Sequence, residues 1–528
     1  MKKRFNVNGA CIPDIHYMVK IDERLKNIEK LIDDGEYFTI NRARQFGKTT
    51  TLMCLEKYLS EKYIILSMSF EGVDGGVFAS ETEFCRHFLK LLYTSMDYGK
   101  KSGVALEVVK ECEDKLKNTE CGFGFWELSV LISKLCSTAD DPVVLMIDEV
   151  DQAGGYERFL TFLGMLRNKY LMRMKERTFH SVILSGVYDV KNLKLKIRKD
   201  ESHRYNSPWN IAADFTLDMS FSARDIEGML KDYESDNHTG MDIRNTASLI
   251  YEYTSGYPYL VSRICKLIDE QGEQKESETE KWSRNGIVKA VDILLKEPNT
   301  LFDDMIKQLA EYPEISRIIQ NMLFEGAEYP FNSYSASMNL GLMFGYIKNK
   351  NGVAAISNRI FEMHLYQYYL SEELVKNDEL NSYGIRKNQF IQNGYLDMDI
   401  VMKKFSQYYT ELYRETDERF VEKQGRKLFL LFLKPIINGT GNFYVEAETR
   451  NETRTDIVVD YMGKQFIIEL KIWKGEKYNA DGEKQLIEYL NLYHLDRGYL
   501  LTFNFNKNKQ AGIKEVFIQD KRILETIV

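Results

Sequence analysis

Between residues 37 and 52 a short apolar stretch, Tyr-Phe-Thr-Ile, runs straight into Asn41-Arg-Ala-Arg-Gln-Phe-Gly-Lys-Thr-Thr-Thr-Leu. Its end, Gly47-Lys48-Thr49, matches the tail of a Walker A phosphate-binding loop, in which a strand feeds a tight turn and the turn feeds a helix. Each residue type has a physical reason. Glycine lets the backbone turn so that its N–H groups face a phosphate. Lysine brings a point charge to the outer phosphates, and threonine offers a hydroxyl to Mg²⁺. The helix that follows points its N-terminus at the anion. The pattern's first glycine is missing, because position 42 is Arg42. Arg44, Gln45, Phe46, Gly47, Lys48, Thr49 and Thr50 are the candidate nucleotide contacts.

A loop of this kind needs a parallel sheet behind it. Strands are predicted at 37–40, 63–70, 142–150, 180–186 and 214–219, with helices between them. Near-continuous apolar strands alternating with helices imply a parallel sheet buried on both faces. The third strand, Val143-Val-Leu-Met-Ile-Asp148-Glu149, ends in two acids at the carboxyl edge, where an open parallel sheet takes its ligands. Asp148 is expected to hold the Mg²⁺ shell, and Glu149 to orient or deprotonate the attacking water. The fourth strand ends in Ser185, either a polar sensor of the γ-phosphate or an ordinary strand-end serine. Arg198, in the basic run 191–199, and Arg263 are each either an arginine finger or a solvated charge.

Composition sets the frame. A chain of 528 residues suggests about three or four domains. With 44% apolar and 28% charged residues it has the balance of a globular protein, not of a disordered one. The longest apolar runs, 428–433 and 143–147, are far short of a membrane span, so no membrane partner is expected. The basic start Met-Lys-Lys-Arg has no apolar run behind it and does not read as a secretory signal. Seven scattered cysteines without a Cys-x-x-Cys pair argue for a reduced, cytoplasmic protein without a zinc site. Residues 401–528 hold 21 basic and 19 acidic residues within a chain of net charge −8. That region is therefore the better place to meet a polyanion.

The expected organisation is a P-loop domain at 1–220, a helical lid at 221–300, helices with a hairpin at 301–372, a polar linker at 373–400 and a further domain at 401–528. The hairpin turn is Asn351-Gly352, and helix, helix, hairpin is the outline of a winged helix. It would pack on the P-loop domain or touch DNA.

The last domain carries a second constellation. Thr455-Asp456-Ile-Val-Val-Asp-Tyr and Lys464-Gln-Phe-Ile-Ile-Glu469-Leu-Lys471 flank Met462-Gly463 and read as a β-hairpin. With Met462-Gly463 as a two-residue turn, Tyr461 pairs with Lys464 and Asp456 faces Glu469. Opposed side chains lie about 4.5–5.5 Å apart at Cβ, close enough for two carboxylates to share one divalent cation. Lys471 points to the same face as Glu469. Such a face suits a nuclease, in which acids hold Mg²⁺ to activate water and lysine stabilises the developing charge.

The loop 41–50, together with His16-Tyr-Met-Val, Leu145-Met-Ile-Asp-Glu-Val-Asp, Leu184-Ser-Gly-Val-Tyr-Asp and Thr254-Ser-Gly-Tyr-Pro-Tyr-Leu, resembles bacterial AAA-ATPase-like proteins over residues 5–370. In those proteins arginine-rich sequence replaces the first glycine. The resemblance implies ATP as cofactor, a helical lid and a winged helix. Asp456 followed by Glu469-Leu-Lys471 is similar to the PD-(D/E)XK nuclease superfamily over residues 405–528. This resemblance adds Glu422 on a preceding helix (about 417–433) and Gln485 and Tyr489 on a following one. Catalytic candidates are therefore Glu149, Glu422, Asp456, Glu469, Lys471 and Gln485. Metal candidates are Thr49, Asp148, Asp456 and Glu469.

The expected fold is α/β: a parallel-sheet P-loop ATPase, a lid, a winged helix and a nuclease-like domain. The expected function is ATP-regulated, Mg²⁺-dependent cutting of nucleic acid, with DNA as substrate, in a homo-oligomer formed through the ATPase domain. Defence against foreign DNA fits that architecture. The alternative is a non-catalytic ATP-gated switch whose C-terminal fold only binds DNA or a protein partner.

Overall fold

The computed structural model describes residues 2–97, 103–118, 122–154, 156–187, 209–270, 277–325, 327–332, 334–376, 387–412, 422–437, 440–444, 457–473, 476–504 and 512–528. They form two compact units. The first holds Met1–Met229 with Tyr257–Ser262 and Met343–Gly345. The second holds Leu230–Gly256, Arg263–Leu342 and Tyr346–Val528.

In the first unit, β1 (Arg4–Phe5) and β2 (His16–Tyr17) form a small parallel pair. The main sheet holds β3 (Tyr37–Asn41), β4 (Ile64–Ser69), β5 (Val143–Asp148) and β6 (Ser181–Gly186), in the order β3-β6-β5-β4 and all parallel. β6 therefore stands between β3 and β5 in space, which separates the phosphate loop's strand from the acidic strand by one strand. Alternate residues face two different cores. Leu66, Leu145, Ile147, Val182 and Leu184 pack with the helices between residues 81 and 172. Phe38, Ile40, Ile65, Val144, Met146 and Ile183 pack with Leu25, Ile28, Leu52 and Leu55 of the helices Asp22–Asp33 and Lys48–Leu59. Burial on both faces is why these strands read as unbroken apolar runs.

The predicted fifth strand, 214–219, is a correction. That segment builds no ladder. The backbone pairing beside it is one isolated bridge, Phe38 to Ala213, with Ala213 N–H donating to the Tyr37 carbonyl at 2.8 Å, and Phe215 stacks on Phe38 at 6.0 Å. Two guanidinium groups take the place of strand partners. Arg24 donates to the Met219 carbonyl at 2.8 Å, and Arg42 donates to the Leu217 carbonyl and lies 5.3 Å from the centre of the Phe215 ring. Side chains thus satisfy carbonyls that a ladder would have paired.

The second unit begins with helices, among them Ile243–Thr254, Pro258–Glu270 and Arg284–Lys296. Pro258–Glu270 starts in the first unit and ends in the second. Further helices lead to the hairpin β7 (Ile347–Lys350) and β8 (Val353–Ile356), and the helix Arg359–Lys376 follows. The hairpin turns at Asn351-Gly352 as expected, both residues having positive φ (51° and 87°). The described part of the expected linker is folded. Residues 391–396 form a small hairpin, β9 (Ile391–Gln392) and β10 (Tyr395–Leu396), with Phe390 and Leu396 buried.

The C-terminal sheet runs β11 (Gly441–Tyr444), β12 (Ile457–Tyr461), β13 (Lys464–Ile472), β14 (Arg497–Phe503), β16 (Lys521–Ile527), β15 (Gly512–Ile518). β13, β14 and β16 are parallel, and the outer pairings are antiparallel. The helix Glu476–Leu492 covers one face, where Leu486 and Leu490 crowd Gly498. The helices Met398–Leu412 and Glu422–Ile437 cover the other, where Phe503 meets Phe405, Tyr409 and Gly425. A side chain at position 425 would approach the Phe503 ring within 2.4 Å, so the helix can lie this close only with glycine there. Among the described residues no helix is long and apolar enough to cross a membrane.

Candidate functional site

The first candidate site lies at the carboxyl edge of the parallel sheet. β3 ends at Asn41, and the loop passes through two left-handed residues, Gln45 (φ 57°) and Gly47 (φ 78°), before the helix starts at Lys48. Lys48 is buried, and its Nζ donates to the carbonyls of Arg42 (2.9 Å) and Ala43 (3.1 Å). Burial pulls its pKa down, and nearby Glu149, Asp151 and Asp148 push it back up. Thr49 Oγ1 donates to Asp148 Oδ2 at 2.7 Å and so ties the loop to the tip of β5. A hydroxyl and a carboxylate oxygen side by side are hard oxygen donors of the kind Mg²⁺ takes.

Glu149 sits at φ 54°, a left-handed conformation costly for a residue with a side chain, and its N–H donates to Asp148 Oδ1 at 3.0 Å. Burial raises the Glu149 pKa, with Lys48 opposing. Ser185, on the rung of Ile40, has a buried hydroxyl without a hydrogen-bond partner among the described residues. A buried orphan hydroxyl beside a phosphate loop is what a γ-phosphate sensor would leave exposed to its ligand. Arg44 offers its carbonyl to the Tyr257 hydroxyl, and the Phe46 ring meets Tyr257 edge-on at 4.7 Å. Thr50 Oγ1 accepts from Cys11 N–H at 3.0 Å. Arg42 turns away from this group toward residues 215–217. Arg263 is held in a two-pronged pair with Glu297, one contact of which is 2.8 Å. Arg198 lies outside the described residues.

The second candidate site is on the C-terminal sheet. Met462 and Gly463 (φ 50° and 78°) make the two-residue turn, and Tyr461 pairs with Lys464 as the spacing requires. The described register ends at Ile457 opposite Ile468, one rung short of Glu469. Asp456 itself lies outside the described residues. Glu469 is fully buried, and Lys471 Nζ sits 2.9 Å from its Oε1. Lys471 also donates to Gln485 Oε1 at 2.8 Å, so three of the predicted residues converge. Gly482 leaves room for the lysine stem, since an added Cβ there would stand 3.2 Å from it. Glu422 opens a helix on the opposite face of the sheet, and its side chain lies outside the described residues. Among the described residues no three His, Cys, Asp or Glu side chains converge as metal ligands.

A family model described as an AAA-like domain matches residues 15–372. The chain belongs to that family. A second model, the PD-(D/E)XK nuclease superfamily, matches residues 441–516 of this AAA-like protein. Solved structures resemble it more distantly. A Walker-type ATPase of Pyrococcus abyssi, PABY2304, is 12% identical, with 68% of this chain and 99% of that one covered and a TM-score of 0.47. Cdc6p from Pyrobaculum aerophilum is 11% identical, with 67% and 94% covered and a TM-score of 0.33. No curated protein matches.

Three features of this AAA-like chain escaped the sequence reading. Asp151 accepts from Val187 N–H and bears electrostatically on Lys48; its signal was the third acid of Asp148-Glu149-Val150-Asp151. Tyr257 grips the outside of the phosphate loop. On the nuclease-like sheet, Glu525 is fully buried and shares a rung with Glu469 through Leu500, and Lys514 Nζ lies 2.7 Å from it. Glu483 on the covering helix has a raised pKa, from burial first and Glu525 second. A second acid–lysine pair therefore stands on the Glu469 face. Only parallel pairing of β14 and β16 brings it there, and no local pattern encodes that pairing.

Proposed function

We propose that the protein is an ATP-responsive nuclease. ATP with Mg²⁺ occupies the loop 44–50, Thr49 and Asp148 hold the metal, Glu149 prepares the attacking water, and Ser185 reads the γ-phosphate. The C-terminal domain cuts nucleic acid, DNA in the first instance, in a reaction regulated by the nucleotide. There Asp456 and Glu469 hold Mg²⁺, which would activate water, while Lys471, positioned by Gln485, steadies charge at the scissile phosphate. Residues 221–300 serve as lid and 301–372 as a winged helix between the two activities. The setting is the cytoplasm, and defence against foreign DNA is a role that suits such a pairing.

The observation that carries this reading is the buried Glu469–Lys471–Gln485 cluster. A fully buried carboxylate in mid-strand is expensive and adds little to a fold that an apolar residue would serve better. The same burial favours a second reading, a nucleotide-gated scaffold that binds without cutting, because Glu469 is fully buried and paired with Lys471.

Plasmid cleavage with Mg²⁺, with and without ATP, separates the two. Wild type is expected to cut, Glu469→Ala to lose cutting while keeping ATP turnover, and Lys48→Ala to lose the response to ATP. Intact cutting by Glu469→Ala would refute the site. No cutting by wild type under any nucleotide condition would favour the scaffold.

A further inference from the structure

Within the second unit, four helices frame a cavity of about 190 Å³ that neither candidate site uses. They are Thr300–Glu311, Pro313–Glu325, Arg359–Lys376 and Glu422–Ile437. Helical spacing explains which side chains meet there. Ser316, Gln320 and Phe324 recur every four residues and stand in one row on the second of these helices. On the third, the same spacing sets Tyr368 beside Glu372 and Tyr369 beside Glu373. Lys427 comes from the fourth.

The floor is aromatic. Phe324 and Tyr369 are buried, with ring centres 6.4 Å apart and planes inclined by 74°. Tyr368 adds a third ring, 5.2 Å from Tyr369 and tilted by 59°. The rings therefore make a corner rather than two parallel plates. A corner of rings suits a compact cation, which the ring quadrupoles attract, whereas a flat base needs a slot. The chain's own ammonium shows the attraction. Lys427 Nζ lies 5.8 Å over the Phe324 ring and 3.4 Å from Glu373 Oε2.

The polar groups agree with a cation. The Ser316 and Tyr369 hydroxyls share a hydrogen bond at 2.9 Å, and Gln320 Nε2 donates to Ser316 Oγ at 3.3 Å. Gln320 Oε1 and the Glu372 carboxylate are then the acceptors left for a guest, and ammonium and guanidinium groups carry donors only. In charge, the two carboxylates Glu372 and Glu373 less the one lysine leave the lining at −1. Size narrows the guest. A cavity of about 150 Å³ holds one benzene ring, and drug-sized ligands need about 300 Å³ or more. This one has room for a single small group on a short stem.

We propose that the cavity binds one organic cation, a guanidinium or primary ammonium group. Phe324, Tyr368 and Tyr369 lie beneath it, Glu372 and Glu373 supply counter-charge, Gln320 Oε1 accepts a hydrogen bond, and Lys427 is the resident competitor. The site is independent of the nuclease reading. Its guest arrives either as a free small amine or as the arginine or lysine side chain of another protein.

The test is calorimetric titration of the full chain in an amine-free phosphate buffer. Ethylguanidinium and putrescine are the free cations, acetyl-Gly-Arg-Gly-amide presents a side chain, and N-ethylurea is the neutral control with the shape of ethylguanidinium. Cation probes are expected to bind at a single site and N-ethylurea is not. Binding of the free cations assigns the site to small amines, and binding of the peptide alone assigns it to a protein side chain. Glu372→Gln is expected to weaken binding about 2- to 5-fold. Tyr368→Leu is expected to weaken it about 2- to 30-fold. Lys427→Met removes the competing ammonium and is expected to strengthen binding about 2- to 5-fold, which a merely structural role would not do. Glu372 is exposed, so its variant tests the site even if Tyr368→Leu fails to fold. No binding by any cation probe, equal binding of N-ethylurea, or binding that none of the three variants alters overturns the proposal.

Discussion

The two candidate sites solve the problem of holding charge in opposite ways. At the phosphate loop, Lys48, Thr49, Asp148 and Glu149 all lie where strands end and helices begin, and backbone carbonyls and N–H groups share in fixing them. On the C-terminal sheet, Glu469 and Lys471 lie in mid-strand, where neighbouring backbone groups are committed to the ladder. Only side chains are left to satisfy them. A site at strand ends can therefore lose one member and remain folded. A site within a strand face depends on each partner.

That contrast can be broken most sharply through the two lysines. Lys471→Ala strands a fully buried carboxylate and is expected to cost about 3–5 kcal/mol in denaturant unfolding. Lys48→Ala removes a donor from two carbonyls and is expected to cost only about 1 kcal/mol, while abolishing nucleotide binding in a titration with labelled ATP. Equal losses in the two variants would show that strand-end placement offers no tolerance.

A second expectation sharpens the electrostatic side. Thr49→Ala and Asp148→Asn remove the paired oxygens at the loop, and each should slow ATP turnover by roughly 100-fold or more, with little change in melting.

A third uses acidity. The folded-state pKa of Glu149 is raised, so its carboxyl stays protonated to a higher pH than an ordinary glutamate. Turnover should fall as pH drops through that raised value, and Glu149→Gln should be slow and lack this acidic limb. The sign for stability is the reverse. Keeping a buried carboxylate costs the wild type stability as pH rises through the raised value, so Glu149→Gln should gain relative stability on the alkaline side and none on the acid side.

The smallest effect is expected at Ser185. Its hydroxyl is buried without a hydrogen-bond partner among the described residues, so Ser185→Ala should leave the protein as stable or slightly more stable, by up to about 1 kcal/mol, while lowering ATP turnover. A clear loss of stability would show that the hydroxyl serves the fold.

What could be read from the sequence follows the same division. The loop and the β5 tip are local: adjacent residues on one strand and one turn, so their chemistry was legible before their geometry. The hairpin register was legible too over the described rungs, because the Met462-Gly463 turn sets the pairing from Tyr461 with Lys464 to Ile457 with Ile468. Glu525 and Lys514 were not, since they reach the Glu469 face only by a parallel pairing across β14. Residues 214–219 misled for the opposite reason. Their alternation of apolar and polar residues suits a strand, but Arg24 and Arg42 take the carbonyls a ladder would need, and neither arginine announces that in its own neighbourhood.

The first unit also has a consequence for synthesis. It is finished not by residue 229 but by Tyr257–Ser262 and Met343–Gly345. At roughly 5–20 residues per second, the ribosome releases the last of these some 6–23 s after the body of the sheet. Until then the phosphate loop lacks Tyr257, and then Gly345, where an added Cβ would stand 2.8 Å from Ala43 Cβ. No single cut in the chain separates the first unit whole from the helical region, and a nascent chain would acquire its completed loop only after most of that region had emerged.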